Sequence, residues 1–184
     1  MKRNRPQTEQ GIINAAIDMI VETGFIDFGI NAIAARAGSD KVLIYRYFGG
    51  TDGLLKYIGE TKPLFPTASE LIGELPVFIE AYRQAMQENQ LAVTLMGWSP
   101  AVDNPLTEAF RSAKNAFWSD VQHLMHPQST AASHFLDILS ELPLSAISTS
   151  QLEPMIANLE FAPEARQATT SITEAEEELP TNLL

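Results

Sequence analysis

Residues 33–48, IAARAGSDKVLIYRYF, constrain the fold of this chain more tightly than any other stretch. Ile30, Ile33, Ala34 and Ala37 recur at three- and four-residue spacing, which lines one face of a short helix with apolar side chains. Gly38 then supplies a corner, and Asp40 a carboxylate able to cap the helix that follows over residues 41–48. Two short helices joined through such a corner make a helix-turn-helix, whose second helix must turn polar and aromatic side chains outward. Lys41, Tyr45, Arg46 and Tyr47 are the side chains available for that face. The pattern points to the groove of duplex DNA as the surface it meets.

The flanking sequence completes a compact head. Residues 8–23 are expected to form a first helix, with Ile13, Ala16, Ile17, Ile20 and Val21 in one stripe and Gly24 just past its end. Phe25, Ile26 and Phe28 are placed to plug the core under the next loop. Gly49 and Gly50 break the chain after the second short helix, and Thr51 is a candidate cap for a fourth helix over residues 51–60 carrying Leu54, Leu55 and Ile58. Pro63 and Pro66 then mark a boundary, dividing the chain into a helix-turn-helix domain at 1–60 and a second unit at 61–184. That unit reads as helical throughout, with segments expected at 71–87, 91–98, 106–125, 131–147 and 163–179, and with Pro143 kinking or ending the fourth of these. The fold class is all-α: a three-helix head on a helical-bundle body.

Charge is divided between the two units. The net charge is −11, which taken alone argues against a nucleic-acid partner. Residues 1–60 hold seven Lys/Arg against seven Asp/Glu, whereas residues 61–184 hold five against sixteen, so the second unit carries the whole excess. An acidic body must sit away from a duplex. Lys2, Arg3 and Arg5 form a short basic arm, suited to phosphate or minor-groove contact or, on the plainer reading, a solubilising terminus. The absence of cysteine excludes a disulfide scaffold and cysteine-based zinc sites. No apolar run approaches the ~20 residues that span a bilayer, and no secretory leader is recognisable, so the expected compartment is cytoplasmic, with no membrane partner.

The head resembles the TetR family of bacterial transcriptional regulators. The resemblance is carried by IINAAIDMIVETGF at 12–25, INAIAARAG at 30–38, the Tyr45-Arg46-Tyr47-Phe48 block, and Leu54-Leu55. It covers about the first third of the chain, and the stretch NQLAVTLMGWSPAVDNPLTEAF beyond it is similar to the family's pocket helices. The resemblance implies that Lys41, Val42 and Tyr45 face bases or the groove, and that Asn31 and Tyr47 contact the DNA backbone. Lysine can reach guanine acceptors or phosphate, valine can meet a thymine methyl, and tyrosine can bond phosphate. Three positions depart from the family pattern. Gly29 replaces a hydroxyl cap, Leu43 replaces a phosphate-binding Ser/Thr, and Thr51 stands at a phosphate-contacting position usually held by lysine.

In the body, Phe78, Tyr82, Met86, Met96, Trp98, Phe117 and Trp118 are the candidates to line an apolar effector pocket, although aromatic residues at helical spacing also serve as plain core. Phe110 and Met125 add to the same surface. His123 and His126 stand three apart, but no cysteine supports a metal site, and solvent- or core-bonded histidines account for them better. No phosphate loop, nucleophile elbow or zinc-protease motif is present, so no enzyme, cofactor or metal is expected. The expected function is a homodimeric regulator, most simply a repressor, that binds a double-stranded DNA operator and is released by a small apolar or aromatic effector. The dimer is expected through residues 131–147 and 163–179, with Phe135, Leu136, Leu139 and Leu142 as its stripe. The alternative is a helical small-molecule- or protein-binding protein whose head no longer reads DNA.

Overall fold

The computed structural model describes residues 5–163, and within them the chain forms ten α-helices and one 3₁₀ turn. Lys2, Arg3, most of the expected helix at 163–179 and the acidic run at 174–178 lie outside the described residues.

The head comprises α1 (Arg5–Thr23), α2 (Ile30–Ala37), α3 (Lys41–Phe48) and α4 (Thr51–Thr61). Helices α2 and α3 have the bounds that their end signals dictate. Gly38 closes α2 in the left-handed conformation, φ 57°, and the Ser39 amide donates back to the Ala34 carbonyl at 3.0 Å. The Asp40 side chain accepts from the Val42 amide at 2.9 Å and so caps α3. Helix α1 starts three residues earlier than its periodicity suggests, within reach of an Arg5–Glu9 pair. Its buried face is Ile12, Ile13, Ala15, Ala16 and Ile20, while Ile17 and Val21 are only half-buried. The covered stripe is thus rotated from the expected one, because the elements packed against a helix decide which side of a broad apolar arc is covered. Thr51 does not cap α4. Gly50 holds the capping position at φ 125°, a conformation that favours glycine, and Thr51 is the first helical residue.

The body comprises α5 (Ala68–Leu71), α6 (Leu75–Glu88), α7 (Gln90–Trp98), α8 (Pro105–Met125), α9 (Thr130–Glu141) and α10 (Thr149–Ile156). The single helix expected over 71–87 is two pieces, since Gly73 lies in the break and Pro76 is favourable only in the first turn of a new helix. Asn89 caps α7 by accepting from Ala92, and its amide reaches back to the Pro63 carbonyl at 2.8 Å. Asn104 and the fully buried Thr107 form a reciprocal capping box that starts α8. Pro143 ends the α9 segment, as expected, and the 3₁₀ turn Leu144–Ala146 follows. Helix α10 is not evident from the sequence pattern because Pro154 interrupts it.

One apolar core runs through the described residues, from Ile12 in α1 to Leu152 in α10, without a gap at the head–body boundary. Phe135, Leu136 and Leu139 belong to it. They are 0–4% exposed within the protomer, and Leu142 is half-buried, so they are no dimer stripe. The body spends that face on its own core.

Two glycines of α4 permit close helix approaches in and below the head. A Cβ on Gly53 would lie 1.7 Å from the Phe48 carbonyl oxygen, so α4 can begin directly against the end of α3 only with glycine there. A Cβ on Gly59 would lie 2.7 Å from Ala109 Cβ, which lets α4 settle on α8. Gly53→Ala is therefore expected to lower stability by ~1–3 kcal/mol through overpacking. Gly11→Ala, at a helical site with nothing within 4 Å, is expected to raise stability by about 0.5–1 kcal/mol. Denaturant titration of both variants checks the pair, and equal effects would contradict the close approach at Gly53.

Candidate nucleic-acid interface

Helix α3 divides its side chains cleanly. Ile44 is fully buried, and Leu43, Tyr47 and Phe48 are half-buried against the core. Lys41, Val42, Tyr45 and Arg46 are exposed. The Leu43 that departs from the family pattern is thus turned inward, where leucine gains from burial and a hydroxyl would gain nothing.

The outward face is ordered on three sides. Asp40 holds the first turn, and the Tyr45 ring lies beside Gly50, whose Cβ would stand 3.6 Å from it. The Arg5 guanidinium lies over the Tyr47 ring, 5.2 Å from its centroid, while its Nε bonds Glu9 at 2.8 Å. This contact joins the start of α1 to the side of α3. Asn31, at the second position of α2, is exposed, and Thr51 is half-buried at the start of α4. The structure therefore brings Arg5, Tyr47 and the α3 surface together. Elsewhere in the head, Arg36 bonds Glu22 in a two-pronged ion pair that ties α2 to α1. Lys41 and Arg46, by contrast, enter no ion pair among the described residues. Two uncompensated cations on a capped helix, flanking exposed Val42 and Tyr45, suit a polyanion that also offers apolar groups.

The seven pocket candidates of the body fall into two groups. Phe78, Tyr82, Met86, Phe117 and Trp118 are buried, and four of them form an aromatic stack. Tyr82 lies between Phe78 and Phe117, at 6.2 and 5.4 Å, and Trp118 stands edge-on to all three. Phe65 and Phe110 extend the cluster, with Phe65 5.5 Å from Phe117. Sequence reasoning misses Phe65 because an isolated aromatic between Pro63 and Pro66 reads as loop. The Trp118 Nε1–H is buried, with no hydrogen-bond partner among the described residues. Met96 and Trp98 are only half-buried, and the ring that Trp98 meets is Phe25 of the head.

Trp98 instead joins body to head. Its indole packs against Gly24, where an added Cβ would fall 2.1 Å from the ring, and it meets Phe25 edge-on at 6.0 Å. Phe25 meets Phe28 in turn at 5.8 Å, just ahead of α2. Arg111 of α8 holds the end of α7 through the Ser99 carbonyl at 2.7 Å and pairs with Asp103 at 2.8 Å. Helix α4 is thus joined by a second bridge between body and head. Periodicity along the chain holds no sign of this contact between residues 24 and 98.

Two surface grooves lie away from the aromatic stack. One is lined by Glu80, Arg83, Gln87 and residues of the 144–150 turn, the other by Leu75, Pro76, Ile156 and Phe161 with their neighbours. His123 and His126 have their rings 5.7 Å apart, and no group of three metal-binding side chains gathers among the described residues. No described helix is long and apolar enough to cross a membrane.

Residues 12–58 match the family model for bacterial regulatory proteins of the tetR family. No curated protein matches the chain. Among solved structures, it is similar to NalD, the secondary repressor of the MexAB-OprM multidrug efflux pump in Pseudomonas aeruginosa. That likeness has 18% identity and a TM-score of 0.52 over 85% of this chain and 98% of the other. It is similar also to HlyIIR, a hemolysin II transcriptional regulator, at 18% identity and a TM-score of 0.55 over the same shares. At that identity the likeness establishes the fold.

Burial pushes the Tyr82 phenol well above its ordinary value. A tyrosine in the unfolded chain ionises near pH ~10, so Tyr82's contribution to stability is complete below that pH and falls as pH rises past it. Tyr82→Phe is therefore expected to lose less stability than the wild type between about pH 8 and about pH 11. Melting curves at the two ends check this, and a parallel loss in both proteins would contradict a sealed aromatic stack.

Proposed function

We propose that this chain, a member of the tetR family of bacterial regulatory proteins through residues 12–58, is a sequence-specific transcriptional repressor that a small effector releases from its DNA. The observation that carries the reading is the α3 surface, capped by Asp40 and presenting Lys41 and Arg46 without acidic partners among the described residues. A phosphate backbone supplies the charge that these cations lack, and the major groove is wide enough to take the helix. Asn31 and Thr51, on the helices flanking α3, and Tyr47 of α3 itself contact phosphates in this reading, as does Arg5 at the start of α1; Lys2 and Arg3, which precede it in the sequence, add to the same basic cluster. The division of labour is a reading head over residues 1–60 and a sensing body over 61–184.

The effector is apolar or aromatic, and it enters the body by parting the stack of Phe78, Tyr82, Phe117 and Trp118. Met86 is buried beside them, and Met96 and Trp98 lie on the helix that leads to the head. No charged side chain belongs to this stack, which favours a neutral molecule, and the Trp118 Nε1–H, without a partner among the described residues, offers a donor to an acceptor on it. Two heads on one duplex require a homodimer, since a single small head has modest affinity and half-sites recur on successive helical turns. No enzymatic step, cofactor or metal enters this function. NalD's role as a repressor of an efflux pump supports repression here as the simplest outcome of binding.

Fluorescence anisotropy with duplex DNA from around the protein's own gene, repeated across salt concentrations, tests the reading. Lys41→Ala and Arg46→Ala should each weaken binding. Each phosphate that a variant leaves unneutralised should flatten the log–log salt slope by roughly 0.9. Sedimentation of the complex should show two chains per duplex. Salt-independent binding, or binding that both variants leave unchanged, would support the alternative of a helical binding protein whose head does not read DNA.

A further inference from the structure

Val42 and Tyr45 are among the large apolar side chains left most open to solvent, at 60% and 57% exposed. They stand three residues apart on α3 and therefore share one face. Neither is loosely held: the Val42 amide is bound by Asp40 at 2.9 Å, and the Tyr45 ring rests beside Gly50. Lys41 precedes Val42, Arg46 follows Tyr45, and neither cation has an acidic partner among the described residues. An apolar pair ringed by free cations complements a polyanion with methyl groups on its surface. Duplex DNA is such a polyanion.

The first turn of α3 consists of Lys41, Val42 and Leu43, with Leu43 turned toward the core. It therefore holds no Asn, Gln or Arg to make the two-bond contacts that identify adenine or guanine. Valine has no hydrogen-bonding side-chain atom. The base-edge feature it can recognise in the major groove is the thymine 5-methyl group, against which an aliphatic side chain packs.

We propose that Val42, on the same exposed face as Tyr45, reads thymine through its methyl group, so that each operator half-site carries thymine where Val42 meets the groove. Lys41 beside it binds a neighbouring guanine or phosphate. The inference rests on the DNA-binding reading above and adds the base class to it.

The test uses the full chain and a random-sequence duplex library at low salt, followed by remaking the enriched duplex with deoxyuridine in place of each thymine in turn. Deoxyuridine keeps every hydrogen-bonding group and removes only the methyl. Wild-type affinity should fall about fourfold at one thymine per half-site, the factor associated with burying one group of methylene size. Val42→Ala, at an exposed position that burdens no core contact, should bind the thymine and deoxyuridine duplexes alike. The proposal is overturned if no single deoxyuridine weakens wild-type binding, if Val42→Ala still separates the two duplexes, or if the enriched half-site has no fixed thymine. Each of those results leaves DNA binding itself standing, whereas a failure to bind any duplex overturns both readings.

Discussion

The packing of the Trp98 indole on Gly24 is the contact that ties the end of α7 to the head. Gly24 closes α1 in the left-handed conformation, φ 66°, and the Trp98 ring occupies the space where any other residue would carry its side chain. Two requirements therefore meet at one position, a backbone conformation that favours glycine and a ring that excludes a Cβ. On the other side of the head, Gly59 lets α4 settle against Ala109 of α8. Two such close contacts, on different head helices, fix the orientation of α3 relative to the body. The continuous core beneath them, from Ile12 to Leu152, makes a change of body packing a change that the head must feel.

A ligand biases such a system only by preferring one packing over another. The aromatic stack around Tyr82 is continuous through α6 and α8, and α7 follows α6 after a single residue, ending at Trp98. Parting the rings of the stack would displace helices that end on the head, by way of Trp98 and Ala109. Reciprocity then requires that DNA binding make the stack harder to part, with a coupling typically of ~1–3 kcal/mol. The acidic excess of the body fits the proposed arrangement, in which charge repulsion would keep the body off a phosphate backbone and leave the neutral head to approach it.

The parts of this architecture legible in the sequence are those governed by local backbone chemistry. Helices α2 and α3 could be bounded to the residue because Gly38, Asp40 and Gly49 each impose a local conformation or hydrogen bond. The exposure of Lys41, Tyr45 and Arg46 followed from the same periodicity that buried Ile44. Properties set by distant contacts were not legible. Periodicity shows that α1 has an apolar side, yet α2 and α7 decide that Ile12 is covered and Val21 only half-covered. Likewise Phe135 and Leu139 form a stripe suited to a second copy or to the same chain, and the fold uses it for its own core. Trp98 was legible as an aromatic of the body, but not as the residue that meets the head.

Hydrogen–deuterium exchange of the full chain, with and without a saturating random-sequence duplex at low salt, tests the coupling of head to body most directly. Slowed exchange is expected in α3 together with slowed exchange around Gly24 and in the last turn of α7, where no DNA reaches. Protection of α3 while the Gly24–Trp98 seam exchanges at its original rate would contradict that coupling.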